Sequence, residues 1–412
     1  MQRDSSPAAQ AASAGRHAER TQRGTAKAAG ALDGIRVIDL SRVLAGPLCT
    51  QMLADHGAQV IKVEPPFGDE TRKLGPPFAA SGDAAYYTAL NRGKQAISLD
   101  LSEAGDRDQL HGLLGEADVV IENFLPGTMQ KWQLDYERDL APRHPRLIHC
   151  SITGFGADGP LGGLPGYDAV LQAICGLMSV NGTAQSGPTR VGVPIVDHLT
   201  GYAALSGILL ALVARGRTGR GQALEISLYD TALSLLVPHA ANWMVSGVAP
   251  GLTGNAHPNI APYDCFDAAD GPVFLGIVND GQFGRFCRCV GRPALAEDPR
   301  YASNAARLRH AAELRAEIQQ LLATHSREPL CQALMAAGVA AGPVNTVAQA
   351  LEHAHTLHRG MRVRREQDGY QGLGIPIRLA ATPGHPGRSP PAFDQDREQW
   401  LGSGAQRHRR GG

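Results

Sequence analysis

The chain has 412 residues, 43% of them hydrophobic, and its 39 Lys and Arg balance 39 Asp and Glu to a formal net charge of zero. That length exceeds one ordinary compact core and predicts roughly two domains, while the even charge argues against a dedicated nucleic-acid binder. Seven cysteines, at 49, 150, 175, 265, 287, 289 and 331, include no C-x-x-C pair and lack partners at zinc-like spacing, so reduced cytoplasmic thiols and no metal are expected.

Residues 1–30 are rich in Ala, Gln, Arg, Ser and Gly without an apolar core, and read as a disordered tail rather than a secretory signal. Ile35–Leu40 then reads as a buried strand. Pro47–His56 reads as a helix stopped by Gly57, and Val60–Val63 as a second strand. A β-α-β order implies parallel strands and a right-handed crossover. A strand over Ala96–Leu99, a helix over Glu103–Leu114 and strands over Val119–Ile121 and Leu147–Ile152 extend the pattern. The fold class is α/β, with a Rossmann-like parallel sheet in a large domain over 31–223.

Leu199–Ala214 is the most apolar run. Thr200, Tyr202 and Ser206 interrupt it, which suits a buried helix better than a membrane span, so no membrane partner is expected. Past the Thr218-Gly219-Arg220-Gly221-Gln222 turn, a strand at Ala223–Ser227 and a helix at Leu228–Val237 precede a loop-like stretch to Pro262. A strand at Val273–Val278 follows, with helices over Gln282–Val290, Asn304–Ala323 and Pro329–Ala337. These predict a smaller α/β domain over 224–330. Strand-like pieces from Ala341–Val347 onward suggest a return to the large domain over 331–383, and the Pro, Gly and Arg of 384–412 read as a second tail.

The turn after the first strand, Ser41-Arg42-Val43-Leu44-Ala45-Gly46-Pro47, is not G-x-G-x-x-G, and no Walker A motif occurs. The sheet is of nucleotide type without an NAD or ATP signature; coenzyme A is another nucleotide such a fold can hold. Asp197 stands between a β-like run, Val191–Val196, and the apolar helix. It is either a helix cap or a reactive carboxylate in a poorly solvated place. The Gly-rich stretch 154–166 and Gly166-Tyr167-Asp168 nearby point to the second. Asp168 could equally cap the helix through Val170–Ile174.

Several segments in order resemble the class III CoA-transferases, the family of formyl-CoA, carnitine and dicarboxylate CoA-transferases and α-methylacyl-CoA racemase. They are Leu32–Leu40, Leu44-Ala45-Gly46-Pro47, Gly57–Glu64, Gly68–Arg72, Asn91-Arg92-Gly93-Lys94, Asp118–Gly127 and Thr218–Gln222. The resemblance covers about residues 32 to 380. It implies an interlocked homodimer, a CoA thioester as substrate with no permanently bound cofactor, and Asp197 as nucleophile. It places Leu44 and Ala45 near the pantetheine, Asn123 and Phe124 along the CoA site, and Asp100 near the adenosine. Lys131 would meet a phosphate, with Arg72, Arg92 and Lys94 as further candidates, and Tyr167 and Asp168 would lie beside the thioester. Racemases of the family carry His where this chain has Tyr167, which favours transfer over racemisation. A stiffer lid is expected at Gly254–Pro262, where His257 or Asn259 could meet the acid. The expected activity moves CoA from an acyl-CoA, succinyl-CoA preferred, to a small carboxylic acid, preferably a dicarboxylate. The alternatives are a racemase or epimerase and a non-catalytic CoA-binding subunit.

Overall fold

The structure, a computed structural model, describes residues 29–402; residues 1–28 of the first expected tail and 403–412 of the second lie outside them. Short β-branched runs between turns form β1 (Arg36–Asp39), β2 (Gln59–Glu64), β3 (Gln95–Ser98), β4 (Val119–Glu122) and β5 (Ile148–Thr153). A small hairpin, β6 (Gly182–Thr183) with β7 (Gly187–Pro188), precedes β8 (Ala223–Ser227). The main sheet runs β3-β2-β1-β4-β5-β8, all parallel, so the order reverses between β1 and β4.

Among the helices that accompany this sheet are α1 (Ala45–Asp55), α2 (Ala85–Leu90), α3 (Ala104–Leu114), α4 (Asp168–Ile174), α5 (Ile195–Thr218) and α6 (Leu228–Ser234). On α5 the buried Val196, Thr200, Ala204, Ile208, Ala211 and Arg215 recur every three or four residues, one stripe of a 3.6-residue helix. That stripe joins Cys49, Met52 and Leu53 of α1 and Val37, Val119 and Ile152 of the sheet in one core. Gly201 permits the contact, since a Cβ there would stand 2.8 Å from the Ala45 carbonyl oxygen. α5 is longer than expected. With 24 residues it is long and apolar enough, on those two criteria alone, to cross a membrane.

The second sheet is antiparallel, β11-β10-β9, formed by β9 (Tyr263–Ala268), β10 (Gly271–Gly276) and β11 (Ala340–Pro343). Helices α7 (Asp280–Cys289), α8 (Ala311–Leu322) and α9 (Arg327–Ala336) share a core with it that runs from Phe266 to Val339.

Several expectations change. β8 and α6 belong to the first sheet and its core, so the second unit starts near residue 262 rather than 224. β11 completes the second sheet, so the return to the large domain comes later than residue 331, where Leu373 O accepts from Arg92 Nη1. The helix expected over Asn304–Ala323 is interrupted at His310. No strand forms over Val191–Val196, because α5 begins at Ile195 behind Pro194. The second expected tail is structured as far as residue 402: residues 388–401 lie against β3, with Asp396 N donating to the Ala96 carbonyl at 2.9 Å.

Candidate active site

The carboxyl ends of the main strands open onto one cleft. Leu40 after β1, Glu64 and Pro65 at the end of β2, Leu99 and Asp100 after β3 and Phe124 after β4 line a cavity of about 490 Å³. A second cavity of about 270 Å³ adjoins it and is lined by Leu44, Ala45, Asn123, Thr153, Tyr167 and Asp197 among others. Arg42, Phe124 and Leu125 border both. Ligands of open α/β sheets bind at this place, outside the strand ends where the order reverses.

Asn123 fixes the turn between the two cavities. Its Oδ1 accepts from Arg42 N at 2.9 Å and its Nδ2 donates to Arg42 O at 2.8 Å. Lys62 Nζ donates to the preceding carbonyl, Ser41 O, at 2.9 Å. Between these clamps and α1, Val43 takes φ 70°. That is the left-handed region, where a β-branched residue is a true outlier, kept only by surroundings that over-determine it. The turn thus presents Leu44 and Ala45 to the Asp197 cavity.

The loop from Gly154 to Gly166 closes on itself. A Cβ on Gly154 would lie 2.7 Å from Gly166 N, so only glycine lets the two backbones meet and deliver Tyr167 and Asp168. Tyr167 is 67% exposed on the cavity wall. Asp168 is buried and does not cap its own helix. Its Oδ1 accepts from Val196 N at 2.7 Å and Asp197 N at 3.2 Å, capping α5 across 28 residues of chain, and its Oδ2 accepts from Gln172 Nε2. Asp197 is therefore the third residue of α5 and not its cap. Its carboxylate opens into the cavity, and burial, with the Asp168 charge beside it, pushes its pKa up to about 7. A carboxylate so poorly hydrated is a better nucleophile than one in water.

The cationic candidates divide. Arg72 pairs with Glu64 and Asp83, Arg92 with Asp55, and Lys94 with Asp39, all buried. None of these three is available to a phosphate, because each charge already faces a carboxylate. Lys131 is exposed at the end of the short helix Thr128–Lys131 and lines neither cavity, although its neighbours Thr128 and Trp132 line the larger one. Asp100 lines that cavity while its Oδ1 accepts from Ser102 N and Oγ. The expected lid residues His257 and Asn259 bond to each other, and Asn259 also reaches Asn242. Asn259 lines a separate surface hollow, not the Asp197 cavity.

Two residues escaped the sequence reading. Arg42 borders both cavities, with Nη1 on Glu70 Oε1 at 2.9 Å. Tyr86 on α2 feels Asp197, Asp168 and Asp69. Burial first, and then those carboxylates, push its phenol up to about 12, so it remains a proton donor. The signal was Tyr86-Tyr87. Neighbours on a helix diverge by about 100°, and Tyr87 is the one in the core.

The family model of CoA-transferase family III matches residues 32–397. The chain is 42% identical to a succinate–glutarate CoA-transferase of Agrobacterium fabrum, over 90% of this chain and 94% of that protein. It is 39% identical to a succinyl-CoA:mesaconate CoA-transferase of Haloarcula hispanica, over 90% and 96%. The crystal structure of a CAIB/BAIF family protein from Brucella suis superposes with a TM-score of 0.81 at 40% identity, covering 90% of this chain and all of that one.

Proposed function

The chain belongs to CoA-transferase family III, and from that premise we propose that it transfers CoA between dicarboxylic acids, with succinyl-CoA as donor and Asp197 as the covalent carrier. The relatives named for succinate, glutarate and mesaconate support the substrate class. The observation that carries the mechanism is the desolvated carboxylate of Asp197 in a cavity continuous with the cleft at the strand ends.

Asp197 attacks the thioester carbonyl, the C–S bond breaks, and a mixed anhydride forms with release of CoA thiolate. The thiolate attacks the aspartyl carbonyl of that anhydride, giving an aspartyl-CoA thioester and freeing the donor acid. The acceptor carboxylate attacks this thioester, expelling thiolate and forming a second anhydride. Thiolate attack on its acyl side yields the new acyl-CoA and restores Asp197. The CoA extends from Asp197 past Leu44, Ala45 and Arg42 toward Asp100, with Lys131 at the rim as a phosphate partner. Tyr86, a phenol that stays protonated in the field of Asp197 and Asp168, is the donor we assign to the oxygens that gain charge there.

We assign the working unit to a cytoplasmic homodimer. The exposed Trp243, Met244 and Val245 of the helix His239–Ser246 offer apolar surface for a second copy.

Incubation with succinyl-CoA and no acceptor, followed by hydroxylamine and peptide mass mapping, should place a hydroxamate on Asp197. A protein that exchanges CoA briskly with glutarate yet never yields that adduct transfers directly, and the covalent step is then wrong.

A further inference from the structure

β3 is the edge of the main sheet, and its outward N–H and C=O groups at residues 96 and 98 have no seventh strand to meet. Three side-chain groups and one backbone amide of the C-terminal segment meet them instead. Asp396 Oδ2 accepts from Ala96 N at 2.9 Å, and Asp396 N donates to Ala96 O at 2.9 Å. Asp394 Oδ1 accepts from Ser98 N at 2.8 Å, and Arg397 Nη1 donates to Ser98 O at 2.6 Å. Arg397 is 1% exposed and Asp396 8%. Before them, Pro391 O accepts from Arg72 Nη2 and Tyr87 Oη, and that same Arg72 holds Glu64 on the cleft wall. Beyond them, Trp400 and Leu401 pack on the core that contains Leu40, Val63, Leu99 and Leu101. All four of those residues line the larger cavity.

Sealing an edge does not require this. A lysine, a proline or a bulge would do it without burying charge. What the half-buried Asp394 and the buried Arg397 add is a fixed position for Ser98, the last residue of β3. Leu99 and Asp100 follow it directly into the cleft. From the other side Asp106 Oδ2 accepts from Asp100 N at 2.7 Å. The Asp100 turn is thus held between a helix of its own domain and the end of the chain.

We infer that residues 388–401 buttress one wall of the acyl-CoA site from behind, and that Asp394 and Arg397 are positioning residues for the nucleotide end of the substrate. The inference rests on the CoA-transferase reading. A thioester at Asp197 leaves the adenosine end of CoA in the larger cavity, against Asp100. The segment therefore acts on the nucleotide and not on the reacting carbonyl.

Two thioesters separate these roles: succinyl-CoA, and succinyl-pantetheine, which has the same reactive end and no nucleotide. In Asp394→Ala and Arg397→Ala, KM for succinyl-CoA should rise about tenfold while kcat stays within about twofold and KM for succinyl-pantetheine is unchanged. Asp394→Asn and Arg397→Lys, which keep an acceptor and a donor, should recover most of the loss. If the alanine variants fold poorly the test survives, because lost protein lowers the apparent kcat and leaves the ratio of the two KM values, which is the readout, untouched. Calorimetry with CoA alone should show the same weakening. Equal losses for both thioesters, or an unchanged ratio in the alanine variants while the wild type binds CoA and transfers it, would overturn the inference alone. A wild type that bound no CoA would overturn it together with the reading beneath it.

Discussion

Asp168→Asn keeps an oxygen for the Val196 and Asp197 amides and removes a negative charge beside Asp197. The Asp197 carboxyl stands at about 7 against an ordinary 3.8, with burial the larger cause and Asp168 the smaller. Asp168 therefore supplies less than half of the rise, on the order of one pH unit or ~1.4 kcal/mol. The variant should move the acid limb of kcat/KM, which reports the free enzyme, from about pH 7 to about pH 6. At pH 6 the ionised fraction of Asp197 would grow from about a tenth to about a half, so kcat/KM should rise roughly fivefold. At pH 8 it should hardly change, because both forms are already ionised there. The assay is succinyl-CoA with glutarate followed across pH 5 to 9, with the Tm checked at each pH. An acid limb that stays put, with uniformly lower rates, would refute the electrostatic role and leave Asp168 as a cap only.

Asp197→Asn should abolish transfer and stabilise the fold in a pH-dependent way. Between 3.8 and about 7 the folded Asp197 keeps a proton that the unfolded chain has lost, so wild-type stability falls as pH rises through that window. The variant's advantage should grow to about 2 kcal/mol by pH 8, half the full linkage because the side chain is partly exposed; a gap that urea unfolding found constant from pH 4 to 8 would contradict it. Tyr86→Phe should cut kcat about tenfold with little change in the KM for succinyl-CoA, the mark of a donor used mainly in the transition state; a rise in KM alone would make Tyr86 a wall. Asn123→Ala strips both clamps from Arg42 and should cost about 1–3 kcal/mol in urea unfolding, with a higher KM for succinyl-CoA as the Val43 turn relaxes.

Much of the sheet was legible because its signals are local. β-branched runs such as Val37-Ile38 and Val60-Ile61, bounded by Gly34 and Gly57, identify β1 and β2 within a residue or so. Asp197 stood out as a candidate for a different reason, the likeness of whole segments to a family. What failed was tertiary. Val191–Val196 looks like a strand from its valines, but the distant Asp168 caps the helix that starts at Ile195. Arg72, Arg92 and Lys94 look like phosphate ligands until their buried carboxylates are in place. Pro, Gly and Arg made 384–412 read as a tail, since composition cannot show that Asp394, Asp396 and Arg397 match the spacing of an open strand edge.

The β3 edge also sets a schedule for biosynthesis. Asp396 lies 300 residues after Ala96, the partner it holds. At about 5–20 residues per second, β3 emerges from the ribosome about 15 to 60 s before the groups that cover it. For that interval the nascent sheet presents bare amides and carbonyls of the kind that recruit neighbouring chains. Crowded polysomes making this protein should depend on holdase chaperones, and a premature stop that removes only the last 20 residues should yield aggregates instead of a shortened enzyme.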